Sequence, residues 1–318
     1  MAGGPGSGSS DIAAVRRRRL MLALAFAALV GFVIGASAGA GDDDPASDET
    51  AAVPLAELPP GGRTLFPDYR VVAYYGAPQD PALGALGIGS PDEAAAKLEK
   101  QARPYERPDR PVLPAMELIS TIAAADPGES GDYRTHQPRS VIDRYLKAAR
   151  KHDALLVLDI QPGYADFLDE AQRLERYLRE PDVGLALDPE WHITPPEVPG
   201  QVIGSVTAEE VNEVSAYLDE LVTRYQLPQK LFIIHQFTAG MISDRDQLEP
   251  REGLAITLNS DGFGDVPNKE AKYNELSPRG PTRAFDAGFK LFYLEDFPVM
   301  TPDQVLDLRP QPDLVVYE

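Results

Sequence analysis

Residues 183–192 read VGLALDPEWH, an apolar run over 183–187 that passes without a break into Asp188-Pro189-Glu190-Trp191-His192. A strand sends successive side chains to opposite faces, so a run apolar at every position is a strand covered on both sides. The same pattern recurs. LLVLDIQ spans 155–161, LFIIHQ 231–236 and LAITLNSD 254–261, each ending in polar or acidic residues. Further β-rich runs at 71–75, 112–119, 289–294 and 314–317 bring the predicted strands to eight.

Between the strands lie amphipathic segments. Over 207–227, Val211, Val214, Leu218, Leu221, Val222 and Tyr225 share one stripe, and Thr207 with Glu210 forms a capping box at its start. Ser90-Pro91-Asp92-Glu93 and Thr301-Pro302-Asp303-Gln304 repeat that signature with Pro in the first helical position. Val141, Ile142, Tyr145, Leu146 and Ala149 make a second stripe; Phe167, Leu168, Ala171, Leu174, Tyr177 and Leu178 make a third. Strands alternating with helices over about 250 residues predict an α/β fold, a single (β/α)8 TIM-type barrel over 69–318. The helical patterns after the fifth and sixth strands are short, and an open doubly wound sheet is the alternative.

The N-terminus reads as a separate device. Residues 1–19 form a disordered basic tail on the cytoplasmic side, Gly/Ser-rich at first and ending in Arg16 to Arg19. The apolar segment over 20–40 begins LMLALAFAALVGFVIGA, and Asp42, Asp43 and Asp44 follow it. Arginines before an apolar run orient the chain with its C-terminus outside. The segment is about the 20 residues that span a bilayer, as a signal anchor does. It also offers small-residue sites at Ala36-Ser37-Ala38 and Ala38-Gly39-Ala40, as a cleaved signal peptide does. Residues 41–68, rich in acid, Pro and Ala, read as a flexible linker. The barrel is thus expected outside the cell, either held at the membrane by the N-terminal segment or secreted after cleavage.

Charge and composition narrow the chemistry. The chain of 318 residues carries 50 acidic and 30 basic residues, a formal charge of −20, with no basic stripe on the domain. Such a surface repels phosphate backbones, which excludes nucleic acid as a partner. There is no cysteine, which excludes disulfides, thiolate chemistry and a lipoprotein anchor.

In a barrel the site forms at the C-terminal ends of the strands. There the first strand ends in Tyr74-Tyr75, the third in Asp159-Ile160-Gln161, and the fourth in Asp188-Pro189-Glu190-Trp191-His192. The fifth ends in His235-Gln236, the sixth in Asn259-Ser260-Asp261, and the seventh in Glu295-Asp296; Glu117 sits too early in the second to reach the mouth. One carboxylate after an apolar run is an ordinary cap. Carboxylates closing four strands together mark a shared site, with Tyr74, Tyr75, Asp159, Gln161, Trp191, His192, His235, Gln236, Asn259, Asp261 and Asp296 expected to bind substrate. Asp188 and Glu190 share parity, and carboxylates brought close have their pKa values pushed apart, which leaves one as a general acid. Trp191, the single tryptophan, suits a sugar platform.

The Asp188-x-Glu190 ending of the fourth strand resembles the Asp-x-Glu of chitinase-like and lysozyme-like barrel glycosidases. The resemblance implies Glu190 as acid and Asp188 as the residue that positions an acetamido group; Ala186 and Val183 stand where the chitinase motif has its earlier aspartates. A second template, the retaining barrel glycosidases with carboxylates on the fourth and seventh strands, implies Glu190 as acid/base and Glu295 as nucleophile; Pro189 stands where that template has Asn. A metal held by His192, His235 and Asp159 is the less favoured reading, because scattered histidines more often hydrogen-bond locally, and no cofactor is expected. The expectation is therefore an exported, glycoside-hydrolase-like barrel acting on an extracellular or cell-envelope glycan. A noncatalytic glycan-binding module is the alternative.

Overall fold

The computed structural model describes residues 55–278 and 284–318. The basic tail, the apolar segment over 20–40 and the linker as far as residue 54 lie outside the described residues. Among the described residues, no helix is long and apolar enough to cross a membrane.

Eight strands form the barrel: β1 (Arg70–Gly76), β2 (Val112–Ala123), β3 (Leu155–Ile160), β4 (Val183–Leu187), β5 (Lys230–Gln236), β6 (Leu254–Ser260), β7 (Asp286–Leu291) and β8 (Leu314–Tyr317). Each pairs in parallel with its sequence neighbours, and β1 closes the ring by pairing with β8 from Val71↔Leu314 to Tyr74↔Tyr317. The open-sheet alternative is thereby excluded. Alternation along each strand explains the runs apolar on both faces. Val71, Ala73, Leu113, Ala115, Leu155, Val157, Leu231 and Ile233 fill the barrel, while Val72, Leu156, Leu158, Phe232, Ile234 and Val315 pack against the outer helices.

Those helices are α1 (Pro91–Ala102), α2 (Arg139–Lys151), α3 (Phe167–Arg173), α4 (Glu175–Leu178), α5 (Ala208–Tyr225), α6 (Val266–Leu276) and α7 (Pro302–Asp307). The three capping boxes form as their sequence signatures require. The third stripe is divided into α3 and α4 where Leu174 leaves the helical region at φ −89, ψ 0. Between β5 and β6 there is no α-helix. That crossover is a 3-10 turn, Arg245–Gln247, tied to α5 by Asn212, which donates to the Gln247 carbonyl at 2.9 Å and accepts from the Glu249 amide at 2.8 Å.

The domain also begins earlier than residue 69. Leu58, Leu65 and Phe66 are buried with the residues lining the barrel interior, and the Leu65 and Phe66 amides donate to Gln229 Oε1 at 2.8 and 3.2 Å. The last stretch of the expected linker therefore plugs the N-terminal end of the barrel.

Beside the barrel mouth, Glu170 of α3 ties three elements together. It accepts from Arg134 Nε and His136 Nε2, each at 2.8 Å, and from the Thr121 hydroxyl of β2 at 2.9 Å. Burial alone would push its carboxyl up, but the hydrogen bonds from His136 and Arg134 outweigh that and bring it from 4.5 to about 2. A depressed folded-state pKa gives stability that is complete above 4.5 and disappears as pH falls from there towards 2. Glu170→Gln is expected to cost about 3 kcal/mol, the low end for breaking a buried ion pair, because Gln keeps one acceptor for Thr121. Urea unfolding at pH 7 should show this as a lower midpoint with an unchanged slope. The wild-type advantage should shrink at pH 3.

A candidate active-site pocket at the C-terminal end of the barrel

A pocket opens at the C-terminal end of the barrel, walled by residues from all eight strands or the segments that follow them. Tyr75, Gln161, Asp188, Glu190, Trp191, Asp261, Lys290 and Glu318 supply its polar groups, and Ile119, Ile122, Phe237, Phe263 and Phe292 its apolar walls. The wall from β2 exists because that strand bulges between Ile119 and Thr121 and runs on past the rim. There a short antiparallel strand, Arg134–His136, pairs with it.

At the pocket floor stands the Tyr75 hydroxyl, 3.2 Å from Asp159 Oδ2 and 3.4 Å from Asp188 Oδ2, with Gln161 Nε2 donating to it at 2.9 Å. A phenol has one proton to give, so it serves one of the two carboxylates at a time. Burial raises the pKa of both aspartates, and for Asp159 the neighbouring Asp188 charge adds to it.

Just beneath, His235 is fully buried between two acids. Its Nδ1 lies 2.7 Å from Asp261 Oδ2 and its Nε2 2.8 Å from Glu117 Oε1. Burial opposes the charge, yet Asp261 and Glu117 raise the imidazole well above its ordinary value, so both nitrogens donate. Asn259 Nδ2 braces Asp261 at 2.6 Å. Lys290 of β7 lies 3.3 Å from Asp261 Oδ2, 2.9 Å from Glu318 Oε2 and 3.7 Å from the centre of the Tyr75 ring. Its own pKa is raised despite burial, by Asp261 and then Glu318.

Of the expected site residues, Tyr75, Gln161, Asp188, Glu190, Trp191 and Asp261 meet in the pocket, and Asp159, His235 and Asn259 support its floor. The strand stops at Leu187, so a 3-10 turn, Pro189–Trp191, rather than strand parity, brings Asp188 and Glu190 to one pocket.

Five others do not line the pocket. Tyr74 has the opposite parity to Tyr75 and packs edge-on to Tyr293 and Tyr317 in the outer layer. His192 donates to the Ser205 carbonyl at 2.9 Å beside Phe167. Gln236 holds the loop after β5 through the Thr238 carbonyl. Because β7 begins at Asp286 and ends at Leu291, Glu295 and Asp296 fall in the following turn. Asp296 points to buried Lys269, 3.0 Å away, and accepts from the Gly264 and Phe292 amides.

Lys290, Glu318 and Glu117 were not legible as site residues. Their one sequence signal is a lone charge in or beside an apolar run, which gains meaning only when barrel closure turns it inward.

The turn bearing Glu190 and Trp191 leans on Gly204, whose amide donates to the Glu190 carbonyl at 2.7 Å. A Cβ there would lie 2.2 Å from the His192 carbonyl and 2.4 Å from that of Pro189, so the backbone must move. Gly204→Ala is expected to shift the fluorescence maximum of Trp191, the single tryptophan, while the far-UV circular dichroism stays unchanged. An unchanged emission spectrum would show that the turn does not need this approach.

Fold and pocket together define an α/β barrel protein with a mouth-side site. No family model and no curated protein matches the chain.

Proposed function

We propose that this protein is an exported barrel hydrolase that cleaves a glycan outside the cytoplasm by carboxylate acid–base chemistry, with Glu190 as proton donor and Asp188 as its partner. The observation that carries this reading is that Asp188 and Glu190 wall one pocket together with Trp191 and three phenylalanines. Aromatic faces suit the apolar faces of sugar rings, and carboxylates suit the hydroxyl edges. The acids outnumber the cations there, which favours a neutral or N-acetylated sugar over an anionic one. In this role Glu190 protonates the leaving glycosidic oxygen as its bond to the anomeric carbon breaks, and water adds to that carbon and returns a proton to Glu190. Asp188, steadied by Tyr75 and Gln161, orients the substrate.

Ala186 and Val183, in place of acids on β4, favour a second reading, a glycan-binding module without turnover. A panel of neutral and N-acetylated glycans separates the two. Cleavage products support the hydrolase, binding without products supports the module, and neither result rejects both. Export has its own test. With Arg16 to Arg19 ahead of the apolar segment, protease added to intact cells is expected to digest the barrel. Protection until lysis would reverse the orientation.

A further inference from the structure

Three side chains beneath the pocket floor converge on one point. Glu117 of β2, Asp159 of β3 and His235 of β5 each present one ligand atom, and these atoms lie within 4.8 Å of one another. His235 Nε2 is 2.8 Å from Glu117 Oε1 and 3.9 Å from Asp159 Oδ1. All three side chains are essentially inaccessible to solvent. Glu117 Oε2 and Asp159 Oδ1 are buried without a hydrogen-bond partner in the protein, although a buried carboxylate oxygen left unpaired is costly.

We propose that Glu117, Asp159 and His235 bind a divalent transition-metal cation, zinc or manganese in kind, inside the barrel beneath Tyr75. Ligand atoms about 2.0–2.2 Å from one ion at a tetrahedral angle lie about 3.3–3.6 Å apart, so small side-chain adjustments suffice. His235 and Glu117, at 2.8 Å, open slightly, and His235 and Asp159, at 3.9 Å, draw closer. The cation takes the place of the Nε2 proton and gives Asp159 Oδ1 a partner, and Glu117 Oε2 one where Glu117 binds through both its oxygens. One imidazole with two carboxylates, in a chain without cysteine, suits zinc or manganese. Calcium would require six to eight oxygens.

The surroundings fit such an ion. Asp261 Oδ2 accepts a hydrogen bond from His235 Nδ1 at 2.7 Å, the arrangement that turns Nε2 towards a metal, and Asn259 orients Asp261 in turn. Around the point, Glu117, Asp159, Asp188, Asp261 and Glu318 gather about His235 and Lys290, with Lys269 also within electrostatic reach of Asp261, and the acids outnumber these cations, so a dication offsets buried negative charge. The site is independent of the hydrolase reading, since it lies under the pocket and no step assigned to Glu190 uses it.

Because the point is sealed, loading is tested during folding. The untagged full chain is expressed in minimal medium supplemented in turn with zinc, manganese, magnesium or calcium, and bound metal is measured after gel filtration. About one equivalent of zinc or manganese is expected, with a Tm above that of protein expressed without supplement. Less than about a tenth of an equivalent with every metal overturns the proposal. Glu117→Gln and His235→Asn should each reduce retained metal at least tenfold, whereas His192→Gln should retain it. Retention by the first two variants places the ion elsewhere and also overturns the proposal. If those variants fail to fold, X-ray absorption at the metal edge of the wild type decides. One imidazole with carboxylate oxygens supports the site, and a shell without imidazole rejects it.

Discussion

Replacing Glu190 with Gln is expected to reduce glycan hydrolysis about 10²–10⁴-fold, the range that general acid–base help supplies, or roughly 3–5 kcal/mol of barrier. The exchange keeps the side chain's size and its capacity to hydrogen-bond, and removes the transferable proton. Glu190 is half-buried at the pocket wall, on a turn braced by Gly204 rather than in the core, so its Tm should stay close to wild type. Asp188→Asn should cost nearly as much turnover, because Asp188 is the pocket carboxylate reached by Tyr75 and Gln161. Glu295→Gln should cost little, since Glu295 lies in the turn after β7 and outside the pocket lining. A strand-7 nucleophile would reverse that order and make Glu295→Gln the most damaged of the three. If the wild type binds a glycan without cleaving it, and Glu190→Gln binds it equally well, the binding module replaces the hydrolase.

Much of the barrel was legible because burial on both faces leaves a plain mark on a strand, although closure of the ring itself leaves none. A strand buried on both faces is apolar at successive positions, as in 155–158 and 231–234, and helix caps punctuate the intervals. Legibility failed where a polar residue is buried with a partner distant in sequence. The inner face of α6 carries Lys269 beside Tyr273 and Leu276, which breaks the apolar stripe; its partners are Asp296, beyond the next strand, and the Gly262 and Lys290 carbonyls. The start of β7, Asp286-Ala287-Gly288, resembles a turn by composition, which moved the predicted strand and carried Glu295 to the mouth. In 55–68, Leu65 and Phe66 sit among Pro and Gly with no period, and their anchor, Gln229, is more than 160 residues away.

The site divides along the same line. Asp188 and Glu190 stood out because they directly follow an apolar strand, and the pocket holds them both. Glu117 sits too early in its strand to reach the mouth, and the pocket lining does not include it. Yet β2 is longer than expected, ending at Ala123, and its interior position meets His235 across the barrel. Depth along a strand thus separates the residues that line the pocket from those that charge its floor.

Lys290→Met is expected to be the most destabilising of the substitutions considered for this barrel, at about 5 kcal/mol, the upper end for removing one member of a buried charge cluster. The upper end applies because one ammonium serves two acids, Glu318 at 2.9 Å and Asp261 at 3.3 Å, with the Tyr75 ring 3.7 Å below it. Methionine fills much of the same volume, so packing is spared and the loss reports the charge. For a domain of this size about 5 kcal/mol corresponds to a fall in Tm of roughly 10–20 °C. Lys272→Met provides the contrast. Its partner Glu275 is 3.1 Å away at the surface, where such a pair is worth about 0–1 kcal/mol. Glu318→Gln in the Lys290→Met background should recover part of the loss, since it removes one of the acids left behind, and the coupling energy of the double-mutant cycle measures that share. A fall in Tm for Lys290→Met no larger than that for Lys272→Met would mean that water, rather than the ammonium, neutralises the acids at the pocket floor.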